Sequence, residues 1–261
     1  MTSCSSIPSV HPTAIVDSHA ELADNVVVGP YCVVGAGVRV GRGTKLLSHV
    51  VVTGTVTLGE GNVIHPFAVL GGEPQIRKSA KTTNSTEPRS LVVGDNNVIR
   101  ESVTVNLSTG ERATTIGSHN LLMAGCHVAH DVVMGSHCVV ANGVQLAGHV
   151  VVENWVTFGG LSGVAQTLRV GQSAFVAAGA MCERNVPPFV IVQGDRARVR
   201  ALNVVGLMRR GVPQASIARL KKAFSHAFVR KNTSLGAAAR EIDRSDAYVD
   251  ALVCALLSND Y

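Results

Sequence analysis

The sequence predicts an all-β fold, a left-handed parallel β-helix of hexapeptide repeats, followed by an α-helical C-terminal subdomain. Three observations predict it. An aliphatic residue returns every six positions, glycine often follows that residue, and the spacing turns helical after Pro187-Pro188. A period of six fits neither the 3.6-residue helical turn nor the two-residue alternation of a half-buried strand. It fits a solenoid of three flat faces, one hexad to a face, whose successive coils stack about 4.8 Å apart as parallel strands. Residues three hexads apart then lie one above the other.

The first run of anchors is Val10, Val16, Leu22, Val28, Val34, Val40, Leu46, Val52, Leu58, Ile64 and Leu70. It resumes at Val93, Ile99 and Val105, and again from Ile116 through Val176. A weaker set of small or aliphatic residues lies four positions on, as at Cys32, Val38, Val56, Cys138, Val144, Val150 and Val156. Glycine after the anchor, as at Gly29, Gly41, Gly117 and Gly171, is expected to suit corners where a side chain would be costly. Two polar stretches break the register, 71–92 and 106–115, and are expected to leave the coil as surface loops. The coil is therefore assigned to residues 1–190 and the helical subdomain to 191–261. Helical spacing is expected over 199–210, 213–230 and 245–257, with Ser245 as an N-cap and Asn232 and Gly236 between helices. Helices there would cover the last open coil, and the flat apolar faces suggest a closed homo-oligomer, most simply threefold.

Composition agrees with a narrow β core. Hydrophobic residues make up 46% and charged residues 16%, enough for a packed interior, whereas aromatics are 4% against 26 glycines. The six cysteines are scattered without a CxxC pair, no secretory signal pattern opens the chain, and no apolar run approaches the roughly 18 residues of a membrane helix. A soluble cytoplasmic protein with reduced thiols is expected. The net charge of +5 is concentrated in 196–231, from Arg196, Arg198 and Arg200 to Arg230 and Lys231. Such an end suits an acidic protein partner or a phosphorylated substrate rather than nucleic acid.

Chemistry is expected in the stretch Leu121–Asp131. His130 takes the third position of its hexad, and three hexads on stands Gly148, next to His149. Coil stacking would bring together an imidazole base, a flanking polar group, and an amide N–H open to an oxyanion. Two rivals remain. A zinc hydratase would need three ligands, and His127 and His130, in successive hexads, are expected to point from different faces. A non-catalytic scaffold would use the prism only for assembly.

Several blocks resemble the UDP-N-acetylglucosamine O-acyltransferases, which begin lipid A synthesis. They are His11-Pro12-Thr13-Ala14-Ile15-Val16, Ile99–Thr104, Asn120–Met123 with Ala129-His130-Asp131, Leu146–Val150, Val186-Pro187-Pro188, and Asn203 with Gly206-Leu207 and Arg209-Arg210-Gly211. The resemblance implies a homotrimer with active sites between subunits. It implies transfer of a 3-hydroxyacyl group from acyl carrier protein to the glucosamine 3-hydroxyl, with neither metal nor organic cofactor. His130 would be the general base, Asp131 its orienting carboxylate, and the Gly148 amide the oxyanion donor. His127 and His149 would contact sugar or phosphate. Gln166, Asn203, Arg209 and Arg210 would contact the nucleotide diphosphate. Gln75 and Lys78 would bring the first loop over the site, and Ala178 would help measure acyl length.

Three positions depart from the family pattern. Ile76 stands where an acidic residue is usual, Ala165 stands where a histidine precedes the glutamine, and Asn106–Gly110 lacks the usual Arg-Gly-Thr. They leave base and oxyanion donor in place but bear on sugar recognition. A hexapeptide acyltransferase acting on another nucleotide-sugar, at an amine, is therefore the alternative.

Overall fold

In a computed structural model of the 261-residue chain, the described residues are 7–76, 89–110, 112–229 and 235–258. Their strands form three sheets of 11, 9 and 8 strands, and along the coil each strand pairs in parallel with the strand three places on, until the end of the 11-stranded sheet. That order is the signature of a three-faced coil, the left-handed parallel β-helix. Stacking follows the hexad register: Val27 lies beside Lys45, Val33 beside Val51, and Val133 beside Val151.

The anchors point inward and make the core. From Val28 through Val176 they are at most 3% exposed, and the second set at Cys32, Val38, Val56, Cys138, Val144, Val150 and Val156 is wholly buried. The first coil differs. Val10 is 42% exposed and Val16 and Leu22 are half-buried, because no coil lies beneath them. A buried polar ladder also ties the coils along one corner. Asn62, Asn97 and Cys138 donate their N–H groups to Thr44 Oγ1, Asn62 Oδ1 and Asn120 Oδ1, and Asn120 donates its own to Asn97 Oδ1. Each asparagine thus satisfies a backbone donor that the corner leaves unpaired.

The glycines after the anchors have a different reason from the one expected. None of Gly29, Gly41, Gly117 and Gly171 has positive φ. A Cβ on Gly117 would come 2.7 Å from the backbone of Gly135, and one on Gly171 would meet Pro188. Close approach of the next coil, not backbone conformation, demands glycine there. The left-handed conformation falls two residues later, at His119, Asp131, His137, His149 and Trp155 among others.

Both interruptions are narrower than expected. The strand Val69–Gly72 pairs with Thr104–Asn106, and Ser90–Val93 pairs with Thr55–Leu58 on one side and Thr114–Ile116 on the other. The strands therefore take in Gly71, Gly72, Ser90, Leu91, Val92, Asn106, Thr114 and Thr115.

The prism core runs to Val192, inside the strand Val190–Gln193, so the expected boundary at 190/191 cuts a strand. Residues 199–202, expected to be helical, instead belong to the strand Arg198–Leu202, which closes the 11-stranded sheet antiparallel to Val190–Gln193. Sheet pairing outweighs local spacing there. Among the described residues four α-helices follow: α1 (Val204–Arg209), α2 (Gln214–Phe224, prolonged by a π-helical turn Ser225–Val229), α3 (Leu235–Arg240) and α4 (Ala247–Leu257). Asp246 caps α4, accepting from the N–H groups of Tyr248 and Val249, so the expected Ser245 lies one residue early. Gly236 lies within α3 rather than between helices, and Asn232 lies outside the described residues. The helices pack Ile217, Leu220, Val249, Leu252 and Val253 into a second core against Phe189 and Leu202.

Candidate active site

The strand His127–Val128 ends at a corner formed by Ala129, His130 and Asp131, and the chain then turns onto the next face. Asp131 adopts φ +60°, and His149 and Thr167 repeat that conformation on the following coils. Asp and His tolerate the left-handed region better than most residues. Because Asp131 makes the turn, the side chain just before it falls across the coil above. His149 N–H donates to the His130 carbonyl at 3.0 Å, and the His130 ring covers Gly148. A Cβ at 148 would lie 2.5 Å from His130 Cε1 and 2.8 Å from its Nε2, so the imidazole can rest there only over glycine. Gly148 is buried, and its N–H meets no acceptor among the described residues. A buried amide without a partner is uncommon and marks a place for an incoming acceptor.

His130 is 6% exposed, and its Nδ1 lies 2.7 Å from Asp131 Oδ2. A carboxylate only accepts, so Nδ1 carries a hydrogen, and in the neutral ring the lone pair is therefore on Nε2. His149 Nε2 lies 3.6 Å from the same oxygen, its ring nearly perpendicular to that of His130. Thr109, in the second interruption, holds both oxygens: its N–H donates to Oδ1 and its hydroxyl to Oδ2, each at 2.9 Å. His127 is fixed separately by Thr104 Oγ1, 2.8 Å from its Nδ1. Burial first, and the charge of His130 second, hold the His127 pKa below the usual histidine value.

A cleft of about 450 Å³ opens beside this corner, lined by Gln75, His127, His130, Gly148, Ala165 and Gln166. It gathers five of the residues expected in the site, and Asp131 and His149 each follow one of them in the chain. A second cleft, about 520 Å³, opens on the 11-stranded face and is lined by His137, Trp155, Asn203, Arg209 and Arg210. The expected residues thus fall on two faces of one prism. Within the second cleft their roles differ. Asn203 is buried, caps α1 by accepting from Gly206 N–H, and donates Nδ2 to the Ser173 carbonyl. The Arg210 guanidinium sits 5.5 Å from the Trp155 ring centre and bonds Ser173 Oγ at 2.7 Å. Arg209 is exposed, with no ion pair among the described residues. Ala178 is exposed at a corner and lines neither cleft, and Lys78 lies outside the described residues. Of the departures from the family pattern, Ala165 lines the first cleft and Ile76 does not.

The metal reading changes its residues. His127 and His130 line the same cleft rather than diverging, because His130 closes the corner of the face that carries His127. Among the described residues the trio that could hold a cation is instead His130, Asp131 and His149, with ligand atoms within 4.8 Å of one another. Its carboxylate is already committed: it accepts from His130 Nδ1 and twice from Thr109. This arrangement orients an imidazole as it stands.

Thr104, Thr109, Thr114 and Trp155 were not foreseen. Thr104 lies beside His127 across the sheet, but an insertion separates them in sequence, so the hexad count that finds Gly148 passes over it. Trp155 does follow His137 by three hexads, a spacing open to inspection.

Comparison with known proteins agrees with the prism. Residues 113–148 match the model of the bacterial transferase hexapeptide repeats, and residues 185–259 match domain 2 of UDP-N-acetylglucosamine O-acyltransferase. A hexapeptide-repeat transferase is the class these features define. Among curated relatives, the acyl-[acyl-carrier-protein]–UDP-N-acetylglucosamine O-acyltransferase of Saccharophagus degradans is 42% identical over 89% of each chain. That of Rhizobium johnstonii is 40% identical, over 86% of this chain and 84% of its own. The solved structure of LpxA from Acinetobacter baumannii superposes with a TM-score of 0.87 at 35% identity, covering 95% of this chain and 96% of that one. The chain belongs to the UDP-N-acetylglucosamine O-acyltransferase family.

Proposed function

We propose that this protein moves a 3-hydroxyacyl group from acyl carrier protein to the 3-hydroxyl of UDP-N-acetylglucosamine, the opening step of lipid A synthesis. The observation that carries the mechanism is the His130 imidazole, held by Asp131, lying over the unpartnered amide of Gly148. His130 Nε2 takes the proton of the sugar hydroxyl as its oxygen attacks the thioester carbonyl. The Gly148 N–H receives the oxyanion, where one preorganised donor is worth about 100- to 1,000-fold in rate. Collapse of the tetrahedral intermediate breaks the C–S bond, and protonated His130 returns the proton to the departing thiolate. Asp131 touches no substrate and acts as a positioning residue.

His127 and His149, beside the base, contact the sugar or its phosphate, and Gln75 and Gln166 line the same cleft. Asn203, Arg209 and Arg210 serve the nucleotide diphosphate, Arg209 as the exposed cation and Arg210 from an anchored place on Trp155. These two groups lie on different faces, which supports a homotrimer whose neighbouring prisms bring one face against the other. Lys78 contacts the substrate, and the methyl of Ala178 in place of a bare glycine favours a somewhat shorter acyl chain. The reaction requires neither metal nor organic cofactor. No helix of the described residues is long and apolar enough to cross a membrane, and the five described cysteines are unpaired thiols. Both suit a cytoplasmic enzyme.

The test is turnover of His130→Ala with acyl carrier protein thioester and UDP-N-acetylglucosamine. The rate is expected to fall about 100- to 10,000-fold, while nucleotide-sugar binding persists. Wild-type turnover would refute the base assignment. Stoichiometric zinc in the purified, active protein would favour the hydratase instead.

A further inference from the structure

The second interruption of the coil is built into the catalytic corner. Leu107 is 4% exposed within the prism core, and its N–H donates to the Gly72 carbonyl at 2.8 Å. Ser108 is fully buried and bonds Ser90 twice: its N–H to the Ser90 carbonyl, and its Oγ from the Ser90 N–H. Thr109, the next residue, is therefore delivered from a fixed backbone. Its N–H and hydroxyl grip the two oxygens of Asp131, while Thr114, where the coil resumes, accepts the Asp131 N–H through Oγ1 at 2.9 Å. Both ends of the interruption thus close on one residue.

We propose that Thr109 is a positioning residue for the base, selecting which histidine Asp131 serves. This rests on the assignment of His130 as the base. Two imidazoles compete for Asp131 Oδ2: His130 Nδ1 at 2.7 Å and His149 Nε2 at 3.6 Å. The Asp131 side chain is 10% exposed, so little water is at hand to hold the carboxylate. The Thr109 hydroxyl donates to that same oxygen, and its N–H fixes the other, so the carboxylate plane cannot turn toward His149. With the plane fixed, Oδ2 faces His130 Nδ1, and Nε2 stays aimed at the space above Gly148. Without the hydroxyl, Oδ2 is left to the two imidazoles, and with the Thr109 amide alone holding the carboxylate from the loop its plane can tilt toward His149. His130 then loses the partner that sets its tautomer and ring angle.

The experiment compares Thr109→Val, which keeps the shape and the amide but removes the hydroxyl, with Thr109→Ser, which restores a donor. Hydrogen bonds to charged groups are among the stronger ones, so kcat is expected to fall about tenfold or more in Thr109→Val. KM for both substrates should stay within about twofold, and Thr109→Ser should recover most of the rate. The deciding measurement repeats Thr109→Val in an Asp131→Asn background, where the loss should shrink to less than about twofold because the shared carboxylate is gone. Wild-type kcat in Thr109→Val, or an equal loss in both backgrounds, overturns the proposal. If Thr109→Val folds poorly, by a lowered Tm, Thr109→Ala enters the same cycle. Should His130→Ala be inactive while the Thr109 variants behave as wild type, the role of Thr109 alone fails. Should His130→Ala turn over normally, the base assignment fails first.

Discussion

Of the columns of aromatic and imidazole side chains that climb this prism, two serve different ends. At one corner His119, His137 and Trp155 stack flat on one another, with ring centres 4.9 and 4.1 Å apart and planes within 7°. At another, His130 meets His149 edge-on, 5.1 Å away and 84° from parallel. The coil is the same; the position within the corner is not. His119, His137 and Trp155 occupy the left-handed residue itself, from which side chains rise along the rod and stack. His130 stands one residue earlier and falls across the backbone of the next coil, where only glycine admits it. A shift of one residue thus turns a stacking element into a base over an amide.

The largest expected effect tests that shift directly. Gly148→Ala puts a methyl 2.5 Å from His130 Cε1 and forces the ring away from the amide. Turnover should drop about 100-fold or more while the oligomeric state and far-UV spectrum stay unchanged. Retained turnover would mean that the imidazole does not work from that place.

A contrasting result is expected at His119, which is exposed, stacks only on His137, and lines neither cleft. His119→Ala should leave kcat and both KM values unchanged and cost about 0.5–1 kcal/mol in urea unfolding. A tenfold fall in rate would erase the distinction between the columns.

The smallest effect concerns pH. His127 has its pKa lowered by burial, so the folded protein binds that proton less readily than the unfolded chain. Its contribution to stability is complete above the ordinary histidine value of about 6.5 and is lost as pH falls from there through the lowered folded value. Denaturation midpoints measured across that window should fall toward acid less in His127→Gln than in the wild type. Parallel curves would show that burial of His127 carries no proton linkage.

Much of this was open in the sequence. The hexad count placed His130 beside Gly148, because coil stacking converts spacing into adjacency without further information. It failed where insertions interrupt it. Thr104 and Thr109 reach His127 and Asp131 from across an interruption, and their partners depend on where the coil resumes. It also failed in the choice of face: the corner swings His130 back beside His127, whereas counting hexads sends them apart. Residues 199–202 were misjudged for a related reason, since an open sheet edge recruited a stretch whose local pattern reads as helix.

The sequence alone determined the prism, its inward aliphatics, and the imidazole resting on a bare backbone, because period and register are local properties that repeat without regard to the rest of the chain. Only the tertiary structure decided that Asp131 is gripped by Thr109, that Arg210 is anchored over Trp155, and that the expected contacts fall on two faces. Those depend on how loops return to the coil and how the helical cap sits on it, and no periodicity records either.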